Sequence, residues 1–248
     1  MVAVSAPVRP AVLALWSPPR AMSTAFFRMM VQRGDFRAYH EPFSELAAGH
    51  HVEVGGRRLA TPEEALRGFT AESAKTPVFF KDTTEYPHAR LFDALPLAEA
   101  VMHTFIVRDP RRAIESHYAV NPDVKLPEIG FEHQYEIFDR VRRETGRDPV
   151  VVDADVLVER PGDTVRAYCE AVGIPYDERA LSWQSGDRSE WSRTSRWHQD
   201  VARSSGFRQS DRRHAVTVDD SPVLAGYLRH HLPFYEELRS RSLVLPAV

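Results

Sequence analysis

Hydrophobic residues recur along this chain in two ways: as short unbroken apolar runs, and as longer stretches in which they return every three or four positions. The runs predict strands buried on both faces, and the spaced stretches predict amphipathic helices. Residues 11–16 form the first run, which Pro18 and Pro19 stop. A helix follows, with Ser23 or Thr24 as its N-cap and Phe26, Phe27, Met30 and Val31 on one face. Gly34 and Asp35 turn the chain into a second strand over 36–40, closed by His40-Glu41-Pro42-Phe43. Segment 44–58, rich in Gly, His and charge, predicts a loop or excursion. Thr61, Pro62, Glu63 and Glu64 then supply a cap, a first-turn proline and acidic residues near the positive end of a helix running to about Lys75.

The third strand spans 76–80, and Lys81, Asp82, Thr83 and Thr84 follow at its carboxyl end. A helix over 88–100, interrupted near Pro96, precedes a strand over 102–107, which leads into Arg108-Asp109-Pro110 and a helix over 111–119. A long amphipathic helix over 127–146 carries Phe131, Tyr135, Phe138 and Val141 on one face. A fifth strand is predicted over 149–152, and a helix over 165–172 that Gly173 ends and Pro175 prevents from resuming. Polar, Arg-rich stretches with Trp183, Trp191 and Trp197 follow, then a closing helix over 223–239. This alternation predicts an α/β fold: a central, mostly parallel sheet with helices on both faces, in one domain over 1–248. Ligands of such sheets bind beyond the carboxyl ends of the strands. Polar clusters mark those ends here: residues 20–24, His40 with Glu41, residues 81–84, and Arg108.

Composition narrows the chemistry. An apolar fraction of 43% and a charged fraction of 27% over 248 residues suit a soluble globular protein. The formal net charge of −3 gives no global pull towards nucleic acid, so an anion site must be local. Lys75, Lys81 and Lys125 are the only lysines beside 29 arginines, which sets Lys81 apart. Cys169 is alone, so no intrachain disulfide can form. CxxC and HExxH are absent, and the pairs His50/His51 and His230/His231 lack a completing ligand set, so no metal is expected. No apolar run is long enough to span a bilayer, and the N-terminus reads as a buried first strand; a cytoplasmic location without a membrane partner is the expectation.

Residues 13–28 join a strand to a helix through a basic, hydroxyl-rich turn. The first-turn amides of such a helix lack partners, and with the helix dipole they attract a phosphate or sulfate group. Arg20, Ser23 and Thr24 add charge and hydroxyls at the same place. Farther on, Arg108 and Ser116 can face one ligand only if the chain between them bends around it. An Arg fork suits two oxygens of one phosphate, although an ion pair between Arg108 and Asp109 is the competing use.

The order Pro-basic-x-x-Ser-Thr on a strand-turn-helix, then Arg-x-Pro with a Ser eight residues beyond that Arg, resembles the sulfotransferases that use 3′-phosphoadenosine 5′-phosphosulfate (PAPS). The resemblance is best over 11–41 and 81–118. It implies a P-loop-like architecture and transfer of a sulfuryl group from PAPS to a hydroxyl of a small-molecule acceptor, with 3′-phosphoadenosine 5′-phosphate (PAP) as product. It places Arg20 beside the bridging oxygen, Ser23 and Thr24 on the 5′-phosphate, and Arg108 and Ser116 on the 3′-phosphate. Met22 stands where the family often has Gly, and Thr83 where many members carry a catalytic His. Other branches use a Glu in a segment similar to His40-Glu41-Pro42-Phe43, which puts Glu41 first as general base, with Asp82 or His40 as alternates. Lys81 or Arg20 would stabilise charge on the transferred group.

Arg203, Gly206, Phe207 and Arg208 hold the place of a basic loop that covers the donor in some members. Aromatic residues of 131–138 and the later tryptophans are candidates to line an acceptor cleft. Two other functions compete. A kinase-like phosphoryl transferase would lack GxxxxGK[ST], and GxGxxG is missing as well. A non-catalytic nucleotide-binding homologue would bind the donor without turning it over.

Overall fold

A computed structural model describes residues 9–246, apart from 89–90, 95–99, 189–190, 192–195 and 209–213. Its first strand, β1 (Val12–Ser17), is buried at every position, as an apolar run covered on both faces must be. It is the middle strand of a five-stranded sheet that also holds β2 (Arg37–His40), β5 (Val78–Thr83), β6 (Met102–Val107) and β7 (Val150–Asp153). The strand order is β2-β5-β1-β6-β7, and every pairing is parallel. Polar, partly exposed β2 lies at one edge, where only one side of a strand is covered.

Parallel strands need crossovers, and the helices that make them cover both faces of the sheet. On one face pack α1 (Ser23–Arg33), α7 (Ala154–Glu159) and α8 (Pro161–Val172), through Phe26, Phe27, Met30, Leu157, Val165 and Tyr168. The other carries α2 (Pro42–Ala47), α3 (Pro62–Ser73), α5 (Pro110–Tyr118), α6 (Phe131–Thr145) and α10 (Pro222–Ser240). Short α4 (Leu91–Ala94) and α9 (Gln199–Ala202) complete the helices of the described residues. The expected α/β architecture is therefore present.

Several boundaries differ from the sequence reading, each for a local reason. The N-cap of α1 is Met22, not Ser23 or Thr24; Ser23 is the first helical residue, and no side chain caps the amides. Segment 44–58 is not a loop. Pro42 opens α2, and Val52–Val54 pairs with Arg57–Leu59 as hairpin β3–β4 across Gly55 and Gly56, both at positive φ. Gly-Gly between short alternating stretches is a hairpin signal. The predicted helix over 127–146 is broken at Gly130, where a 3₁₀ turn over Leu126–Ile129 ends and α6 begins. The helix expected from 165 starts earlier, because Asp153 caps α7 and Pro161 takes the first position of α8. Of the helix expected over 88–100, residues 89–90 and 95–99 lie outside the described residues.

Gly130 also ties the second layer to the edge of the sheet where the strands end. Its carbonyl accepts from Thr84 Oγ1 at 2.8 Å, its φ is +86°, and an added Cβ would sit 2.9 Å from the Thr84 carbonyl oxygen. Gly130→Ala is expected to lower the unfolding free energy by more than about 1 kcal/mol, because both the left-handed backbone and the close approach exclude a side chain. Urea denaturation beside the parent chain measures it; an unchanged midpoint would show that the loop gives way at no cost.

Candidate active site

The five parallel strands deliver their carboxyl ends to one edge, and a cleft of about 970 Å³ opens there. Arg20, Ser23, Thr24, Glu41, Lys81, Arg108 and Ser116 all line it. Residues taken from five separate elements thus converge as the sequence reading placed them.

The turn before α1 is conformationally costly. Arg20 and Met22 both have φ 66°, a left-handed conformation that side chains disfavour and glycine adopts freely. This accounts for Met22 in a place where glycine is the cheaper residue: the backbone shape is kept and the side chain bears the strain. No side chain caps α1, and its first residues, Ser23, Thr24 and Ala25, line the cleft. Ser23 Oγ accepts from Ser17 Oγ at 2.7 Å, and Thr24 Oγ1 lies 3.2 Å from His198 Nδ1.

Arg20 and Arg108 meet at this turn. Arg108 donates to the Arg20 carbonyl at 2.9 Å, and Arg20 Nε donates to Ser116 Oγ at 2.9 Å. A second Arg20 nitrogen reaches the Trp197 carbonyl. Arg108 is 9% exposed, and burial pulls its pKa below the usual arginine range. It forms no ion pair with Asp109, whose carboxylate instead caps α5 through the Arg111 amide, while Asp155 takes Arg112.

On β5 the two-residue period of a strand separates neighbours. Lys81 shares the face of Phe79, towards α1, and Asp82 shares the face of Phe80. Lys81 Nζ is paired with Glu41 Oε1, and the Glu41 amide donates to the Lys81 carbonyl at 2.6 Å. Glu41 sits at φ 51°, the third non-glycine residue at positive φ among those described, and all three line the cleft.

Asp82, an alternate base in the sequence reading, does not line the cleft. It is 0% exposed and accepts from the amides of Phe43 (2.6 Å), Ser44 (3.2 Å) and Thr83 (2.9 Å), as well as from Ser44 Oγ. Burial pushes its pKa up to about 7. Its position makes it the cap of α2, supplied from a neighbouring strand. His40, the other alternate, is enclosed by Phe27, Trp191 and His198 rings and held well below the usual histidine range, first by burial and then by Lys81.

Residues far along the chain complete the wall. Trp197, His198, Asp200, Gly206 and Arg208 line the cleft, whereas Phe207 packs on Phe26 and Trp183. Trp183, Trp191, Phe131 and Phe138 belong to the core, so of the aromatic candidates for a cleft lining Trp197 serves. Arg28 of α1 holds this wall by donating to the carbonyls of Gly186 and Gln184. His198 was not singled out by sequence, nor were Glu45 and Glu85, since nothing local marks them. His40, Glu41 and His198 place potential metal-ligating atoms within 4.8 Å of one another. Lys81, fixed on the same carboxylate, opposes a second cation there.

Comparison with known proteins bears on what this site does. Branched-chain-amino-acid aminotransferase-like protein 1 of Arabidopsis thaliana is 29% identical over 243 residues, covering 93% of this chain and 42% of that protein. The chain thus spans less than half the length of the curated relatives it matches. The sulfotransferase domain of the Synechococcus PCC 7002 olefin synthase superposes with a TM-score of 0.49 at 17% identity, over 97% of this chain and 90% of that one. The sulfotransferase domain from the curacin biosynthetic pathway does so with a TM-score of 0.47 at 14% identity, over 96% and 93%. The family model described as "Sulfotransferase domain" matches residues 11–242, nearly the whole chain, and the protein belongs to that family.

Proposed function

We propose that this chain transfers a sulfuryl group from PAPS to a hydroxyl of a small-molecule acceptor, leaving PAP. The observation that carries the reading is Arg108: a buried guanidinium without a carboxylate partner among the described residues, in the same cleft as the uncapped start of α1. Asp155 and Asp109 act on it only from beyond ion-pair distance, so a buried cation of this kind suits an anionic ligand that can contact it directly. The residues fit a nucleotide with two phosphate-bearing ends. Ser23, Thr24, the first amides of α1 and Arg20 would hold the 5′ end, and Arg108 with Ser116 the 3′-phosphate. The donor, when bound, supplies an activated sulfuryl group with a phosphate as its leaving group.

The chain's own residues do the rest by position and charge. Glu41 takes the proton of the acceptor hydroxyl as its oxygen bonds to sulfur and the sulfur–phosphate oxygen bond breaks. Lys81 orients the Glu41 carboxylate through Oε1, leaving Oε2 for that proton, with His40 Nδ1 3.8 Å away. Lys81 and Arg20 also stabilise charge on the transferred group and the departing oxygen, the kind of stabilisation worth roughly 3 kcal/mol per donor. Trp197, His198, Asp200, Gly206 and Arg208 would form one wall of the donor end, braced by Arg28.

Arg108→Ala should weaken PAP binding by roughly 30-fold, about 2 kcal/mol, and barely change binding of the analogue lacking the 3′-phosphate. Calorimetric titration with both ligands checks this, and equal losses would remove Arg108 from the 3′-phosphate. Glu41→Gln should keep PAP affinity within about two-fold and slow transfer about 10²- to 10⁴-fold. Single-turnover assays with labelled PAPS measure the rate; full activity would reject Glu41 as base, and tight PAP binding with no turnover in the parent chain would reject catalysis itself.

A further inference from the structure

The two ends of the cleft differ in charge. At the donor end the lining includes Arg20, Arg108 and Arg112. Around Lys81 it carries three carboxylates, Glu41, Glu45 and Glu85, beside Thr83 and Tyr86, with Arg196 and His50 also in the lining. Lys81 is already matched by Glu41, and Glu45 Oε2 faces His50 Nδ1 at 3.0 Å. Glu85 is different. It lies two residues beyond the end of β5 and makes no hydrogen bond or ion pair among the described residues. Burial first, then the charges of Glu41 and Glu128, pushes its pKa up to about 7. Lys81 and Arg196 act the other way without cancelling that rise. The Tyr86 hydroxyl lies in the same field: after burial, Glu85, Glu128, Glu41 and Glu45 raise its pKa.

A second observation comes from a neutral group. Thr83 is on the Lys81 face of β5 and lines this end of the cleft. It is 6% exposed, and its Oγ1 has no hydrogen-bond partner. A buried hydroxyl in that condition calls for a polar group on whatever fills the cleft.

We propose that the acceptor is an amino alcohol, whose ammonium pairs with Glu85 while its hydroxyl reaches Glu41. The inference rests on the sulfotransferase reading above and names the acceptor class for that site. A partly buried carboxylate on which Glu41 and Glu128 outweigh Lys81 and Arg196 gains from a cation. A neutral acceptor leaves Glu85 unpartnered, and an anionic one adds repulsion from Glu41, Glu45, Glu85 and Glu128. Thr83, on the same wall, has a buried hydroxyl without a partner that a polar group of the acceptor would satisfy.

The test uses the full chain saturated with PAP at pH 8, where Glu85 is ionised, and three probes of one shape: 4-(aminomethyl)benzyl alcohol, 4-ethylbenzyl alcohol and 4-(hydroxymethyl)benzoate. The amine should bind about ten-fold more tightly than the neutral probe, with the carboxylate weakest. Lowering the pH from 8 to 6 should erase much of that advantage, because Glu85 takes up a proton near pH 7 while the amine stays charged. Glu85→Gln should remove the preference with PAP affinity retained, and Glu85→Lys should turn it towards the carboxylate probe. Equal or undetectable binding of the amine, or an advantage that survives Glu85→Gln, overturns the proposal. PAP binding without amine preference defeats the acceptor class alone, whereas absence of PAP binding defeats the sulfotransferase reading and this inference together.

Discussion

The parallel sheet is the constraint on which the rest of this molecule depends. Because all five strands run the same way, each one releases its chain at the same edge, and each release must be followed by a crossover. Registers then decide which residues are neighbours: Lys81 of β5 lies beside His40 of β2 and Leu15 of β1. The residues just past those strand ends, Arg20, Glu41, Glu85 and Arg108, are brought to one place from distant parts of the chain.

Placing charge at that edge requires stabilising it without neutralising it. Lys81 is 3% exposed and paired with Glu41, so the pair is kept together out of bulk water. Asp82 takes over the amides that open α2, and so fixes the backbone that carries Glu41. Strain concentrates in the same region, at Arg20, Met22 and Glu41. Left-handed backbone at such residues costs on the order of 1–2 kcal/mol each, and it persists where the surrounding structure over-determines it. Here the surroundings are Arg108 on the Arg20 carbonyl and the Lys81 carbonyl on the Glu41 amide.

The acidic half of the cleft and the cationic half are built by different means. Arg20 and Arg108 are held by the first and fourth strand ends of the sequence order, and face a helix start whose dipole reinforces them. Glu45 and Glu85 flank the Glu41–Lys81 pair from α2 and from the end of β5. These two sets of charges lie in one cleft without sharing a side chain.

Much of this was legible in the residues themselves. Short, largely apolar runs at 11–16, 76–80 and 102–107 announce buried strands, and Thr61-Pro62 announces a helix start, because burial and capping are local demands that local residues must meet. The Pro-basic-x-x-Ser-Thr turn is legible as a local strand-to-helix junction, whereas Arg108 and Ser116 were singled out through the family resemblance. Other features depend on which face a residue takes or on contacts across long separations. One residue of register puts Lys81 in the cleft and Asp82 in the core, although both follow the same apolar run. Gly55-Gly56 closes a hairpin inside a stretch whose polarity suggested a loop. Trp197, His198 and Glu85 become wall or lining only after α1, β5 and the described parts of 184–188 and 196–206 pack together. The order of elements and the chemistry of each strand end follow from the sequence by itself. Their pairing, burial and charge balance were decided by tertiary structure, because desolvation and Coulomb attraction depend on distances that chain separation does not specify.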